Sequence, residues 1–134
     1  MIPVHREDAG DVTLLRLEGD LDFENTVWLR GELNDLLRQQ RYKIVLDLQG
    51  VVLISSYTVG VFVAFARDLR EHQGDLKFLR LQPRVKQTFE ATRIDQILEV
   101  HQDQESAVQS FSRPPPRGDK ITLLRPSLST DPVQ

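Results

Sequence analysis

Four hydroxyl-bearing residues follow one another between two apolar runs in the stretch VLISSYTVGVFVAF, residues 52–65. They are Ser55, Ser56, Tyr57 and Thr58, and no charged residue lies within the stretch. A serine just before a helix accepts a hydrogen bond from a free N–H group of the first turn, so either serine is suited to cap a helix. A helix start also tolerates an added phosphate, because its dipole and free N–H groups favour an anion. The stretch therefore predicts a helix cap that doubles as a phosphorylation site.

The sequence lacks the residues that most enzymatic reactions require. The chain has no cysteine, and its three histidines form neither an H-x-x-H nor an H-E-x-x-H pattern. It contains no glycine-rich phosphate-binding loop, and Ser56 lacks the flanking glycines of a nucleophile elbow. We therefore expect no enzyme, no cofactor and no bound metal.

One set of carboxylates keeps a different function open. Asp20, Asp22 and Asp47 lie at the ends of predicted strands and could share one rim of the fold. Three carboxylates on one rim would suit Mg²⁺ or acid–base chemistry. A small α/β nucleotide-binding protein or enzyme is therefore an alternative, although capping and turn formation are the ordinary roles of such residues.

The composition indicates one globular domain and restricts its partners. Of the 134 residues, 40% are hydrophobic and 28% are charged, with a formal net charge of -3. Phosphate backbones are bound through an excess of Lys and Arg. Because this chain is acidic instead, we expect no direct binding of nucleic acid. No apolar run approaches the ~20 residues of a membrane helix. The N-terminus also lacks the apolar core of a signal peptide. We therefore expect no membrane insertion and a cytoplasmic location.

Apolar periodicity predicts an α/β fold in the order ββαβαβαβα. The predicted strands are 2–6, 12–19, 42–50, 76–81 and 96–100, with Leu76, Phe78 and Arg80 on one face of the fourth. The predicted helices are 22–40, 58–69, 83–94 and 103–111. Asp22 and Asp103 are their expected N-caps, and Gly74 is the expected end of the second helix. Strands that alternate with helices favour a mostly parallel central sheet of four to five strands with helices packed against it.

The chain divides into a domain, residues 1–112, and a proline-rich segment, residues 113–134. The second part holds five of the seven prolines, three of them consecutive, and we expect it to be a disordered tail. Its apolar run ITLL, residues 121–124, could dock on the domain or on a partner, although a solvated tail is the simpler expectation.

Two motifs together resemble a known family. The residues GDLD at 19–22 follow the second predicted strand, and IVLDLQGVVLISS at 44–56 precedes an apolar helix. Over about residues 10–112 the chain resembles a STAS domain, in particular a bacterial anti-sigma-factor antagonist. This resemblance implies a regulatory domain that binds an anti-sigma factor, itself a serine protein kinase, and releases it when one serine is phosphorylated. A serine phosphatase that reverses the modification is a further implied partner.

The resemblance also implies which residues carry the switch. By position, Ser56 is the phosphorylated serine, and Ser55 stands where the family usually has Asp or Ser. The implied partner-binding residues are Ser55, Ser56, Tyr57, Thr58, Asp20, Asp22 and Phe23.

Two residues of this set depart from the family pattern. Tyr57 and Thr58 stand where a small residue and a glycine are common, and a bulky pair narrows the approach of a partner's backbone. The alternative within the fold is therefore a STAS adaptor without phospho-control, in another signalling or transport assembly.

Overall fold

Five strands lie side by side in chain order in the computed structural model, which describes residues 2–112. The strands are β1 (Val4–Ala9), β2 (Val12–Glu18), β3 (Lys43–Gly50), β4 (Asp75–Leu79) and β5 (Val100–His101). The helices are α1 (Phe23–Arg38), α2 (Ser56–Arg70), α3 (Pro83–Ala91) and α4 (Gln104–Gln109), with 3-10 turns at Ile94–Gln96 and Ser110–Ser112. The first two strands are antiparallel and the other pairs are parallel, which confirms the predicted order and sheet. The predicted tail, residues 113–134, lies outside the described residues.

The middle strand is buried on both of its faces. Ile44, Val45, Leu46 and Leu48 of β3 are all fully buried, as expected for a strand inside a parallel sheet. On one side, which we call the first face, lies the main core beneath α1, α2 and α3. On the other side, the second face, a smaller core forms beneath the short α4. No helix within residues 2–112 is both long and apolar enough to cross a bilayer.

Local sequence signals account for most helix and turn boundaries. The side chain of Asp22 accepts a hydrogen bond from the backbone N–H of Asn25 and caps α1, and Asp103 caps α4 in the same way. Pro83 is the first residue of α3. Gly10, with a φ of 64°, forms the tight turn between β1 and β2, although β1 extends beyond the predicted 2–6.

Gly74, the predicted end of the second helix, is required for a reason other than capping that helix. The left-handed residue is Gln73, with a φ of 62°, and the N–H of Gly74 donates to the carbonyl of Leu69 at 2.8 Å. A Cβ atom on Gly74 would lie only 1.8 Å from the backbone oxygen of Tyr42. The position therefore requires glycine because two backbone segments meet there.

Two predictions about the last strands were wrong. The fifth strand is Val100–His101 and not 96–100, because residues Ile94–Gln96 form a 3-10 turn that buries Ile97 and Leu98 without extending them. Arg80 does not continue the face of β4, since the strand ends at Leu79 and Arg80 has a φ of 55°.

Candidate functional site

The first turn of α2 is closed by a reciprocal cap. The Ser55 hydroxyl accepts a hydrogen bond from the backbone N–H of Thr58 at 3.2 Å, and the Thr58 hydroxyl accepts one from the N–H of Ser55 at 3.2 Å. This arrangement is a capping box, and it satisfies two of the donors that a helix start leaves free. The predicted cap is confirmed, with Ser55 in that role, so the hydroxyl of the neighbouring Ser56 is not used for it.

A buried cluster of hydroxyls joins the starts of α1 and α2. The Thr58 hydroxyl donates to the carbonyl of Leu21 at 2.9 Å and lies 2.8 Å from the hydroxyls of both Ser55 and Thr26. Thr26 also donates to the carbonyl of Asp22 at 2.6 Å. We call Thr26, Ser55 and Thr58 the hydroxyl clamp. Thr58 is completely buried, so it supports this surface from below and does not lie on it.

Ser56 lies on the surface directly above the clamp. It is the first residue of α2 and is exposed, and its hydroxyl has no hydrogen-bond partner within residues 2–112. No acidic residue occupies the first turn of α2. Its hydroxyl is therefore accessible, and it lies at a helix start, where the dipole and the free N–H groups favour a negative group.

An aromatic pair borders Ser56 on the side of α1. The rings of Phe23 and Tyr57 are 4.7 Å apart, tilted by 42°, and an Arg30 guanidinium nitrogen donates to the Tyr57 hydroxyl at 2.8 Å. Tyr57 is half-buried by these contacts, whereas Phe23 remains 61% exposed. Tyr57 is thus fixed against α1, and together with Phe23 it forms a raised aromatic surface beside Ser56, which we call the ledge.

Exposed apolar side chains surround this ledge. The large hydrophobic residues that are exposed in the described part of the chain are Phe23, Val27, Val52 and Leu53, which we call the apolar patch. The first two are neighbours on α1 at a spacing of four residues. The last two lie in the loop before α2, which is held against α1's start because the N–H of Leu21 donates to the carbonyl of Leu53 at 2.8 Å. The patch therefore combines the first turns of α1 with the loop that leads into α2.

The sequence prediction found only part of this surface. It named Phe23, but it omitted Val27, Arg30, Val52 and Leu53. The sequence of α1 did contain an indication of this surface. Phe23 and Val27 share a face that is offset from the buried leucine stripe of that helix. The contact between Thr26 and Thr58 joins residues 32 positions apart, and no local pattern indicates it.

The three predicted carboxylates do not form a metal site. Asp22 caps α1, and Asp47 is buried in ion pairs with Arg16 at 3.5 Å and Arg80 at 3.1 Å. Asp20 is exposed. Throughout residues 2–112, no group of three or more His, Asp or Glu side chains is placed to hold a metal ion. Asp47 therefore serves the packing of the second face.

Comparison with known proteins identifies the family. The family model of the STAS domain matches residues 4–107. BtrV of Bordetella bronchiseptica, a protein assigned as an anti-sigma factor antagonist, is 32% identical over 101 residues, which cover 75% of this chain and 87% of BtrV.

Solved structures share the fold at lower sequence identity. A crystal structure of a protein assigned as an anti-sigma factor antagonist from Thermotoga maritima has a TM-score of 0.77 and 22% identity, over 82% of this chain and 95% of that one. The anti-sigma factor antagonist SpoIIAA in its unphosphorylated form has a TM-score of 0.63 and 19% identity, over 82% and 98%. Bacillus SpoIIAA in its phosphorylated form has a TM-score of 0.64 and 18% identity, over 81% and 98%. The chain belongs to the STAS domain family, as its motifs predicted.

Proposed function

We propose that this chain is an anti-sigma factor antagonist whose partner-binding surface is the start of α2 together with the apolar patch. In its unphosphorylated form it captures an anti-sigma factor that is also a serine kinase, and phosphorylation of Ser56 releases that partner. Its role is regulatory and not enzymatic, in the cytoplasm, and a serine phosphatase would restore the binding form. One observation carries the proposal: an exposed serine without a structural role lies among exposed apolar side chains.

The apolar patch supports protein binding at this position. Four large hydrophobic side chains are 39% to 61% exposed, and all of them come from the two segments that lead into and flank α2. Clustered exposed apolar groups mark interaction surfaces, and buried aromatic anchors often dominate their binding energy. Phe23 is the most exposed of the four and is suited to be such an anchor.

The division of roles between two serines supports the switch. Ser55 holds the capping box, so a phosphate on Ser56 breaks no hydrogen bond of the domain. The added charge of about -1.5 to -2 is favoured at a helix start. In a complex, however, the same charge would be buried among Phe23 and Leu53, at a large desolvation cost. The unbound domain therefore tolerates the phosphate and the complex does not.

One observation favours the alternative of an adaptor without phospho-control. The ledge of Tyr57 and Phe23, fixed by Arg30, covers one side of the approach to Ser56. A kinase that must enclose this serine meets a bulky ring in place of a small residue. A partner that only packs against the ring would bind regardless of the state of Ser56.

A binding experiment separates the two functions. The full-length chain and its Ser56→Ala, Ser56→Asp and Ser112→Asp variants are used as bait in lysate of the source organism with ATP, and captured proteins and phosphorylated residues are identified by mass spectrometry. Ser112 is an exposed serine away from α2, so its variant is the charge-matched control.

We expect phosphate on Ser56 in the wild-type and Ser112→Asp baits, a serine kinase retained most strongly by Ser56→Ala, and none retained by Ser56→Asp. Titration with that purified kinase should show roughly hundredfold weaker binding for Ser56→Asp, in the range for an unpaired charge buried in an interface. Equal binding by Ser56→Asp and Ser112→Asp, with Ser56 unmodified, would contradict the switch and establish the adaptor.

A further inference from the structure

Within residues 2–112, the outer edge of β5 has an unpaired backbone donor and acceptor. In a parallel ladder each residue directs its N–H and C=O groups to the same neighbouring strand. The carbonyl of His101 accepts from the N–H of Arg80 at 2.9 Å, so His101 faces β4 and Val100 faces away from it. Because β5 is the last strand of the sheet, no described strand pairs with Val100 on that side.

The two edges of the sheet are built differently. The other edge strand, β1, reads VHREDA and exposes four charged or titratable side chains, a composition that discourages pairing with another strand. The strand β5 has only two residues and lies beside an open groove of about 670 Å³. This edge has fewer free charges than β1, because Glu99 and His101 on either side of Val100 contact each other at 2.9 Å.

The groove beside β5 has an apolar floor. Leu81, Phe89, Leu98 and Val100 line it, but Phe89 and Leu98 are buried in the main core of the first face, so the accessible apolar surface belongs to the half-buried Leu81 and Val100. Its rim carries charges of both signs, from Lys86, Glu90 and Asp95. An apolar floor next to an unpaired strand edge fits an extended peptide that adds a strand, with alternate side chains in the groove.

One segment of the chain has the composition for this role. Residues 121–124, ITLL, form the one apolar run between 113 and 134, and Ile121 and Leu123 would point to the same side of an extended strand. Lys120 and Arg125 flank the run, with Asp119 before it, so its ends match the mixed charge of the rim.

The chain is long enough to reach the groove. The last described turn, Ser110–Ser112, ends near β4, because the ring of Phe111 lies 4.3 Å from the Lys77 ammonium nitrogen. Neighbouring strands are about 4.8 Å apart, so β5 is one strand away. Residues 113–120 include three consecutive prolines and can span roughly 25 Å at about 3.1 Å per residue. This length passes from the second face around the edge of β5 to the first.

We propose that residues 121–124 pair with the outer edge of β5 as a sixth strand and place Ile121 and Leu123 in the groove. The N–H and C=O of Val100 then gain partners, and the edge is closed to other chains. This pairing lies on the opposite side of the sheet from β1 and does not depend on Ser56.

Amide exchange measured by NMR on the labelled full-length chain tests this pairing. The probe is the Val100 amide, and the His101 amide, which faces β4, reports whether β5 itself is intact. The wild-type chain is compared with Leu123→Asp and with the control Leu128→Asp, which adds the same charge outside the run. Both substitutions lie beyond residue 112, so neither replaces a residue of the described core.

We expect the Val100 amide to exchange about fivefold or more faster in Leu123→Asp than in the wild type, as for the loss of one backbone hydrogen bond. Leu128→Asp should match the wild type, and His101 should exchange equally in all three. Equal exchange of Val100 in the wild type and Leu123→Asp overturns the proposal. Protection that rises with protein concentration and persists in Leu123→Asp also overturns it, because a second copy then covers the edge.

Discussion

The two ends of α2 are fixed by opposite kinds of chemistry. At the N-terminal end the hydroxyl clamp joins α1 and α2 without any formal charge. At the C-terminal end, the Arg70 guanidinium pairs with Asp75 at 2.9 Å and also donates to the carbonyl of Ile97. Both partners of that ion pair are nearly buried, with side chains 12% and 7% exposed.

This difference separates a surface that can accept a charge from one that cannot. At the N-terminal end a phosphate on Ser56 would break no existing pair, and the helix dipole would favour it. At the C-terminal end each buried charge already has its partner, so a new charge would disturb both. Within residues 2–112, the same helix therefore has no ion pair at its start, where we propose that the partner binds, and uses its end to hold β4 and the turn before β5.

The largest expected effect is at the C-terminal end, where backbones meet. Gly74→Ala would place a Cβ atom 1.8 Å from the oxygen of Tyr42, and neither backbone segment can move without disturbing the start of β4. We expect a loss of about 3 kcal/mol in the free energy of unfolding, measured by urea denaturation. A loss below about 1 kcal/mol would show that the turn shifts easily and that this end is not rigid.

At the N-terminal end, removal of one hydroxyl should have the next largest effect. Thr58→Val keeps the shape of the side chain but removes the hydroxyl that contacts Ser55, Thr26 and Leu21. Leu21, Thr26 and Ser55 each keep one other hydrogen bond, so the loss should be that of the bonds made by Thr58, about 2 kcal/mol in unfolding free energy.

A second threonine provides the control for this substitution. Thr88→Val on α3 removes a half-exposed hydroxyl that bonds only to the carbonyl of Arg84, at 3.2 Å, and to no other side chain. Its cost should be within about 0.5 kcal/mol. Equal losses for the two valine variants would mean that the clamp contributes nothing specific.

Substitution of Gly60, one turn into α2, should have a smaller effect, and it should raise the unfolding free energy instead of lowering it. Gly60 has open space where a Cβ atom would stand, and so does Gly31 on α1. Gly60→Ala should raise the unfolding free energy by about 0.5–1 kcal/mol, because alanine loses less conformational freedom in a helix. Thermal denaturation of both alanine variants checks this, and Gly31→Ala should give a similar gain. A loss in Gly60→Ala alone would mean that the exposed start of α2 is more crowded than its surroundings indicate.

Sequence predicts the parts of this comparison that depend on neighbouring residues. A serine cap of α2 at Ser55 or Ser56, the caps of α1 and α4 and the element order were all predicted, since each depends on residues within one turn or one strand. The partners of Thr58 and Arg70 were not predicted, because they come from positions up to 37 residues away. The fifth strand was misplaced for a related reason: Ile97 and Leu98 have the apolar character of a strand, but they are buried in a turn.

The smallest expected effect concerns the ion pair at the C-terminal end. Burial raises the pKa of Asp75 above its usual value of 3.8, and this outweighs the opposing effects of Arg70 and of the N–H of Leu76. The folded state therefore holds the proton more tightly than the unfolded state. The contribution of Asp75 to stability is fully present below pH 3.8, and it is lost as the pH rises through the folded-state pKa.

Asp75→Asn should consequently cost little at neutral pH. The amide keeps an oxygen for Arg70 and for the N–H of Leu76, and it avoids the burial of a charge. We expect a change within about 1 kcal/mol at pH 7, because the raised pKa of Asp75 shows that burial disfavours its charge more than Arg70 favours it. Urea denaturation of both proteins between pH 4 and pH 7 should show the difference move in favour of Asp75→Asn as the pH rises. A loss of about 3 kcal/mol at pH 7 would instead mean that Arg70 needs the charge. In that case electrostatic attraction would stabilise the C-terminal end of α2 as strongly as hydrogen bonds stabilise its N-terminal end.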